Sequence, residues 1–389
     1  MNALPPNMAE VKSAMRRWLV ASALPLWASM GRDLQCGGFV ERLQPDGTPD
    51  LTAPKRIVVQ ARQVFVYSHA AFHRLTNDAI EAAEAGFRFI QRHGPPDGMA
   101  RGFVHSVARD GAVIDRTRDA YDHAFLILAF SWYYRASGER EALDALRYAV
   151  KAIDRLRVEP YGSIAEADVP RFPRRQNPHM HVLEAYMAAY EATGREEFLN
   201  RAREIVSLLS RYFFDSETGG LYEYFGTDLT RLNGPVGKVI EPGHHYEWVW
   251  LLAQYGRLSG KYDMTSMHSL YQTAQMVGVE PTTGLVYDEV DLSARTARVS
   301  KRLWPQTEAL KAHCQLGDTD VVKNAWQNIL RFFSGAPLVG TWVDRLDANN
   351  AVLSGPIPAS SLYHIHLALT DCFTLTTQST NSPGSGTQG

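Results

Sequence analysis

Cysteine is scarce in this chain. Cys36, Cys314 and Cys372 are too few among 389 residues, and too scattered, for a disulfide framework or a zinc site. A reducing cytoplasm is the simplest home for such a composition. Long apolar runs are also lacking: nothing reaches the ~18 consecutive apolar residues of a membrane span. Arg16-Arg17 followed by Trp18 to Met30 has the flavour of a leader. Pro25 interrupts that run, however, and a polar helix-forming segment precedes it, so it reads as the first structural helix. Charge of one sign is missing as well. Forty Lys and Arg stand against 42 Asp and Glu, with no basic stripe for nucleic acid and no acidic block. Finally, there is no Gly-x-x-x-x-Gly-Lys-Ser/Thr loop, no dinucleotide fingerprint and no His-Glu-x-x-His pair. These absences predict an enzyme or binding protein with no bound cofactor and no metal centre. Its partner would be a small molecule, with neither nucleic acid nor membrane involved; a monomer and a homodimer are both compatible.

What is present is a repeat. Short glycine- or small-residue turns precede an apolar residue at Phe39, Phe103, Ile164, Leu221, Leu285 and Trp342, with gaps of 64, 61, 57, 64 and 57 residues. After each turn comes a helical segment, near 56–75, 117–136, 176–193, 243–259, 303–316 and 358–373. Partner helices fall near 8–29, 79–93, 139–157, 196–213, 262–277 and 319–334, and Gly138, Gly194 and Gly260 stand between paired helices as C-terminal caps. With 45% apolar residues the core can be large. Six helical hairpins closing on themselves give an all-α (α/α)6 barrel in one domain, 1–373. The Ser, Thr, Gly and Gln of 374–389 read as a disordered tail. The inner helices would all run the same way, so that their N-terminal ends gather at one mouth, the expected place for a ligand.

Polar residues mark those ends: Arg62, Tyr121, His181, His244, Glu308 and His364 recur at steps of 59, 60, 63, 64 and 56 residues. Asn177, Trp304 and Glu247 stand beside them. Glu247 lies three residues from His244, on the same helix face, where a carboxylate can hold an imidazole tautomer and raise its basicity. Each residue alone also has a structural explanation, such as an ion pair for Arg62, a core aromatic for Tyr121 or Trp304, or a helix cap for Asn177. The pairs His179-Met-His181 and His364-Ile-His366 look like metal ligands, but positions i and i+2 point to different helix faces.

The stretches Pro242-Gly243-His244-His245-Tyr246-Glu247-Trp248 and Asn177-Pro178-His179-Met180-His181 resemble the N-acylglucosamine 2-epimerase superfamily. So do Arg302 to Glu308 and Pro358 to His364, and these two are most like its D-mannose isomerase branch. The resemblance spans about Trp18 to Cys372. It implies an (α/α)6 barrel and a monosaccharide substrate. It also implies that His244 and His364 are catalytic and that Arg62 is the substrate-side arginine. Asn177, His181, Glu247, Trp304 and Glu308 would contact the sugar or support those that do, and Tyr121 would join them.

The chemistry expected of such a set is an aldose–ketose isomerisation of the D-mannose/D-fructose kind, possible also for D-lyxose/D-xylulose. His364 moves a proton between C2 and C1, and Arg62 stabilises a cis-enediolate. His244, tuned by Glu247, handles ring opening or the second proton. A sugar 2-epimerase is the near alternative. A glycoside hydrolase using Glu247 and Glu308 is more distant, as is a barrel that binds sugar without turnover. Lys55, Arg56, Arg174 and Arg175 lie near the mouth, where they are candidates for a sugar phosphate or for plain surface charge.

Overall fold

The computed structural model describes residues 7–292, 296–298, 300–316 and 319–374, so all of the expected tail except Thr374 lies outside the described residues. Inner helices are α3 (Ile57–Phe72), α5 (Ala120–Ser137), α7 (Asn177–Thr193), α9 (Pro242–Ser259), α11 (Leu303–Leu316) and α13 (Ser361–Thr374). They are buried nearly all round, as helices enclosed on every side must be. The outer helices α4 (Ala79–His93), α6 (Arg140–Arg155), α8 (Glu196–Leu208), α10 (Met264–Val277) and α12 (Thr319–Ser334) are amphipathic. In α6, for instance, Ala142, Ala145, Leu146, Ala149 and Ile153 share the buried face. The first outer rod is α1 (Met8–Trp18) and α2 (Leu24–Ser29), joined through a π-helical turn at Leu19–Ala23 that leads into Pro25 in the first turn of α2. Gly138, Gly194 and Gly260 take left-handed φ values of 74°, 68° and 72° at the ends of α5, α7 and α9.

Each inner helix packs on the next, and α13 packs on α3, so the ring is closed. Each inner helix is also backed by the outer helix that follows it in sequence. The exception is α13, which is backed by α1 from the other end of the described chain. At the mouth the ring is sewn by short antiparallel pairings. The residues just before one inner helix pair with those just after the next turn: Arg56 with Ser106, Asp119 with Ala167, Arg175 with Tyr224, Ile240 with Val290, Arg302 with Arg345, and Pro358 with Arg42.

The turns themselves are pinned from within. Gln60 Oε1 accepts from the Phe39 amide at 2.7 Å and Gln306 Oε1 from Val286 at 2.9 Å. In the three modules between them a histidine takes this place. Nε2 of His123, His179 and His245 accepts from Phe103, Ile164 and Leu221 at 3.0, 2.9 and 3.0 Å. Nδ1 of each donates to the carbonyl four residues back. A ring used as donor on one side and acceptor on the other is neutral, and burial holds these histidines down to about 4, 3 and 4 respectively. Gly102, with φ of 84°, is required beside one of them, because a Cβ there would lie 2.8 Å from His123 Nε2. The suspected metal pair at 179 and 181 is thereby separated, with His179 serving as an architectural residue.

Candidate active site

The pins set the phase of everything inside. Two residues after the pin position in each module come Arg62, Phe125, His181, Glu247, Glu308 and His364. These six link side to side around the barrel axis. The Arg62 guanidinium lies over the Phe125 ring at 4.2 Å, and Phe125 meets His181 at 4.7 Å between centroids. His181 Nδ1 is 4.0 Å from Glu247. Glu247, Glu308 and His364 bring ligand-type atoms within 4.8 Å of one another. One helical turn nearer the mouth, two residues before the pins, are Tyr121, Asn177 and Trp304. His244 lies between the tiers. The expected equivalence of Tyr121 and His244 with Arg62 and His364 is therefore corrected: they occupy the same end of the barrel but different levels.

Above the lower tier opens a cavity of about 440 Å³, lined by Arg62, Tyr121, Asn177, His181, Glu241, His244, Glu247, Trp304 and His364 among others. Glu308, fully buried behind His364, does not reach it. Trp304 contacts both imidazoles, at 5.1 Å from His244 and 5.6 Å from His364. Room for the indole comes from Gly243, where a Cβ would sit 2.5 Å from it.

The two imidazoles have opposite surroundings. His244 Nδ1 is 2.9 Å from Glu223 and 3.9 Å from Glu241. Glu247 is not its partner, which corrects the expectation drawn from their spacing. Burial pulls His244 down, but the carboxylates of Glu223 and Glu241 outweigh it and raise the ring to about 10. The Asn177 side-chain amide lies 2.9 Å from Nε2, and an imidazolium, a donor at both nitrogens, calls for the amide oxygen on that side. His364 Nδ1 is 2.7 Å from Glu308 Oε1, whose other oxygen is paired with the fully buried Lys311 at 2.6 Å. Burial, then the charges of Arg62 and Lys311, push His364 well below its ordinary value. Its hydrogen bond to Glu308 works the other way, but Lys311 already neutralises that carboxylate, so the ring is neutral with Nε2 free of a proton.

Among the described residues no carboxylate lies within ion-pair distance of Arg62. It donates to Tyr121 and to the Ser360 carbonyl at 3.3 Å, and its Nε is buried without a partner. Of the four basic residues flagged near the mouth, Lys55 is buried against Asp33, and Arg174 donates to the Ile164 carbonyl. Arg56 and Arg175 are held by Glu41 and Glu166. The spacing of Glu223, Glu241 and His244, and of Glu247, Glu308 and His364, is short enough for a cation. The donor sets do not suit one: each histidine already spends Nδ1 on a carboxylate, and the Lys311 ammonium sits against Glu308.

Sequence reasoning missed Glu223, Glu241, Glu184 and Lys311. Glu184 Oε2 lies 3.5 Å from His181 and accepts from Tyr363 at 2.5 Å. Glu223 sits inside one of the six turns, two residues after Leu221, so the repeat itself held the signal that it meets the following helix.

Residues 37–368 match the family described as N-acylglucosamine 2-epimerase (GlcNAc 2-epimerase). The chain belongs to this family. It is 33% identical to the mannose-6-phosphate isomerase of Rhizobium meliloti (strain 1021), across 91% of this chain and 95% of that protein. With the D-mannose isomerase of Marinomonas mediterranea it shares 24% over 81% of this chain and 85% of the relative. The cellobiose 2-epimerase of Bacillus thermoamylovorans B4167 superposes with a TM-score of 0.86, covering 94% and 99% of the two chains at 20% identity, which establishes the shared barrel. The chain is thus a sugar isomerase or epimerase of the GlcNAc 2-epimerase family. Among the described residues no helix is long and apolar enough to cross a membrane.

Proposed function

We propose that this chain is an aldose–ketose isomerase interconverting D-mannose and D-fructose, with D-lyxose and D-xylulose as a further pair, through a cis-enediolate. The observation that carries this reading is geometric: two imidazoles face one cavity, each with Nδ1 on a carboxylate, and only the carboxylate behind His364 is matched by a buried ammonium. Neutral His364 suits a base, protonated His244 suits an acid, and the unpaired Arg62 guanidinium is available to an oxyanion. His244 first donates to the ring oxygen and takes back the proton that the anomeric hydroxyl gives up as the ring opens, so the imidazolium is restored. In the open chain, His364 Nε2 takes the C2 proton and returns it to C1. His244 gives a proton to O1 and recovers one from O2, so every proton is accounted for. Arg62 meets the charge that develops on the enediolate, and Trp304 offers a face to the sugar.

The two isomerase relatives carry names that differ by a phosphate. Glu241, Glu289 and Asp344 line the cavity, and its cations are Arg62, Arg302 and the His244 imidazolium, which is already met by Glu223. Arg302 is already engaged by Asp288 and lies 3.6 Å from Glu241. A phosphate dianion would meet more carboxylates than free cations, which supports an unphosphorylated substrate. The hydrolase alternative needs two carboxylates flanking a bond, and Glu308 is out of reach of the cavity.

The test is incubation with D-mannose and, separately, with mannose 6-phosphate. Fructose from the free sugar is the expected product; its absence at high enzyme overturns the reading. Running the reaction in heavy water separates isomerase from 2-epimerase. Label appears at C1 of the ketose in the first case and at C2 of the epimeric aldose in the second.

A further inference from the structure

Below the belt of six side chains, three residues further along α11 from Glu308, lies Lys311. It is fully buried and does not line the cavity. Its ammonium is 2.6 Å from Glu308 Oε2 and lies 4.1 Å over the Trp250 ring. Glu308 therefore has a partner at each oxygen, the Lys311 ammonium as an ion pair on one and His364 Nδ1 in a hydrogen bond on the other. Glu247, from α9, shares the cluster but not the donors. Its nearest cationic-type partner is His181 Nδ1 at 4.0 Å, beyond hydrogen-bond length, and the residue is 1% exposed. Two carboxylates this close, with one ammonium between them, do not both ionise readily.

We infer that Lys311 is a positioning residue: by pairing with Glu308 it fixes the negative charge beneath His364 and leaves Glu247 a neutral carboxylic acid that presents its O–H to an oxygen of the sugar. This rests on the reading of the site as a sugar isomerase. Burial and the charge of Glu308 hold the Glu247 carboxyl well above its ordinary value, in the same direction as the geometry. The groups bearing on the cluster from the surrounding helices are Glu184 and His181 on α7, His244 on α9 and Asp371 on α13, with Arg62 on α3 facing His364. Glu184 has its own donor in the Tyr363 hydroxyl, and Asp371 has one in the Trp250 indole, so neither competes for Lys311 at contact distance. A neutral carboxylic acid shielded from water donates a strong hydrogen bond to a developing oxyanion without adding a like charge beside it. Removing Lys311 should let Glu308 take up a proton and so weaken His364 as a base.

The deciding experiment is infrared difference spectroscopy of the folded protein at neutral pH, read at the carbonyl stretch of a protonated carboxyl group. Glu247→Gln should remove one component of this absorption, and Glu308→Gln, which lifts the neighbouring negative charge and leaves Lys311 to Glu247, should let Glu247 ionise and remove the same component. If no component is lost in Glu247→Gln, the inference is overturned. Lys311→Met should lower the rate of C2 proton exchange on mannose about 100-fold at neutral pH, with little change in KM, and activity should recover as pH rises and Glu308 ionises. Lys311→Arg should retain most of the rate. A folded Lys311→Met variant with the wild-type kcat and pH profile also overturns it. Should Lys311→Met fail to fold, the two glutamine variants still decide. If the wild-type protein exchanges no sugar proton, the proposed function fails, while the spectra still report where the charge resides.

Discussion

His244 and His245 are adjacent in the chain and belong to two different regions of the molecule. His245 points outward to the turn at Leu221, accepts one backbone hydrogen bond and donates another, and is held neutral. His244 points into the cavity, meets two carboxylates and is held protonated. Successive side chains on a helix diverge by roughly 100°, so neighbouring identical residues sample unrelated environments. The same divergence separates His179, a pin, from His181, which lines the cavity. Residue type therefore says little about role here; angular position relative to the pinned turn decides it.

The comparison can be broken or sharpened by substitution. The largest effect is expected on the cavity side. His364→Asn should cut mannose isomerisation by about 1,000-fold or more while the melting temperature stays near that of the parent, checked by ketose assay and calorimetry. Next comes Glu223→Gln, which removes the main partner of the His244 charge. Isomerisation should fall by roughly 10- to 100-fold, and the alkaline limb of the pH–rate profile should move to lower pH. Stability should follow the same logic. With His244 raised from 6.5 to about 10, its ionised form contributes stability that is complete below pH 6.5 and is lost as pH rises through 10; in Glu223→Gln that loss sets in earlier. On the pin side, His245→Ala should cost about 1–3 kcal/mol in denaturant unfolding, by removing the ring that accepts from the Leu221 amide and one of the donors to the Glu241 carbonyl, with kcat of the folded fraction largely kept. The smallest effect belongs to His245→Gln. Gln60 and Gln306 already perform this task in their own modules, so a stability change under about 1 kcal/mol is expected.

The barrel was legible because its signals are periodic. Turn residues every ~60 positions and helix-capping glycines placed all the helices within a few residues. Much of the cavity lining was legible too, since Arg62, Asn177, His181, Trp304 and His364 cluster at helix starts. What escaped was the pairing of a turn with the helix that follows it. Glu223 reaches His244 across 21 residues, a contact that shows only when the repeat is read as turn and then helix, whereas Glu247, at a favourable helical spacing, points instead toward His181 and Glu308. Lys311 was missed because a lysine in an apolar helix reads as solvent-exposed until the acids around it are seen.

The backing of α13 by α1 has an outcome for how the chain matures. Arg62 and His364 lie far apart in the sequence, and the rod that seats α13 is made before the other described helices. During translation this rod must wait, its apolar face uncovered, until α13 emerges. The reaction centre thus exists only once α13 has docked, and removal of α1 or of α13 should leave no partially competent fragment.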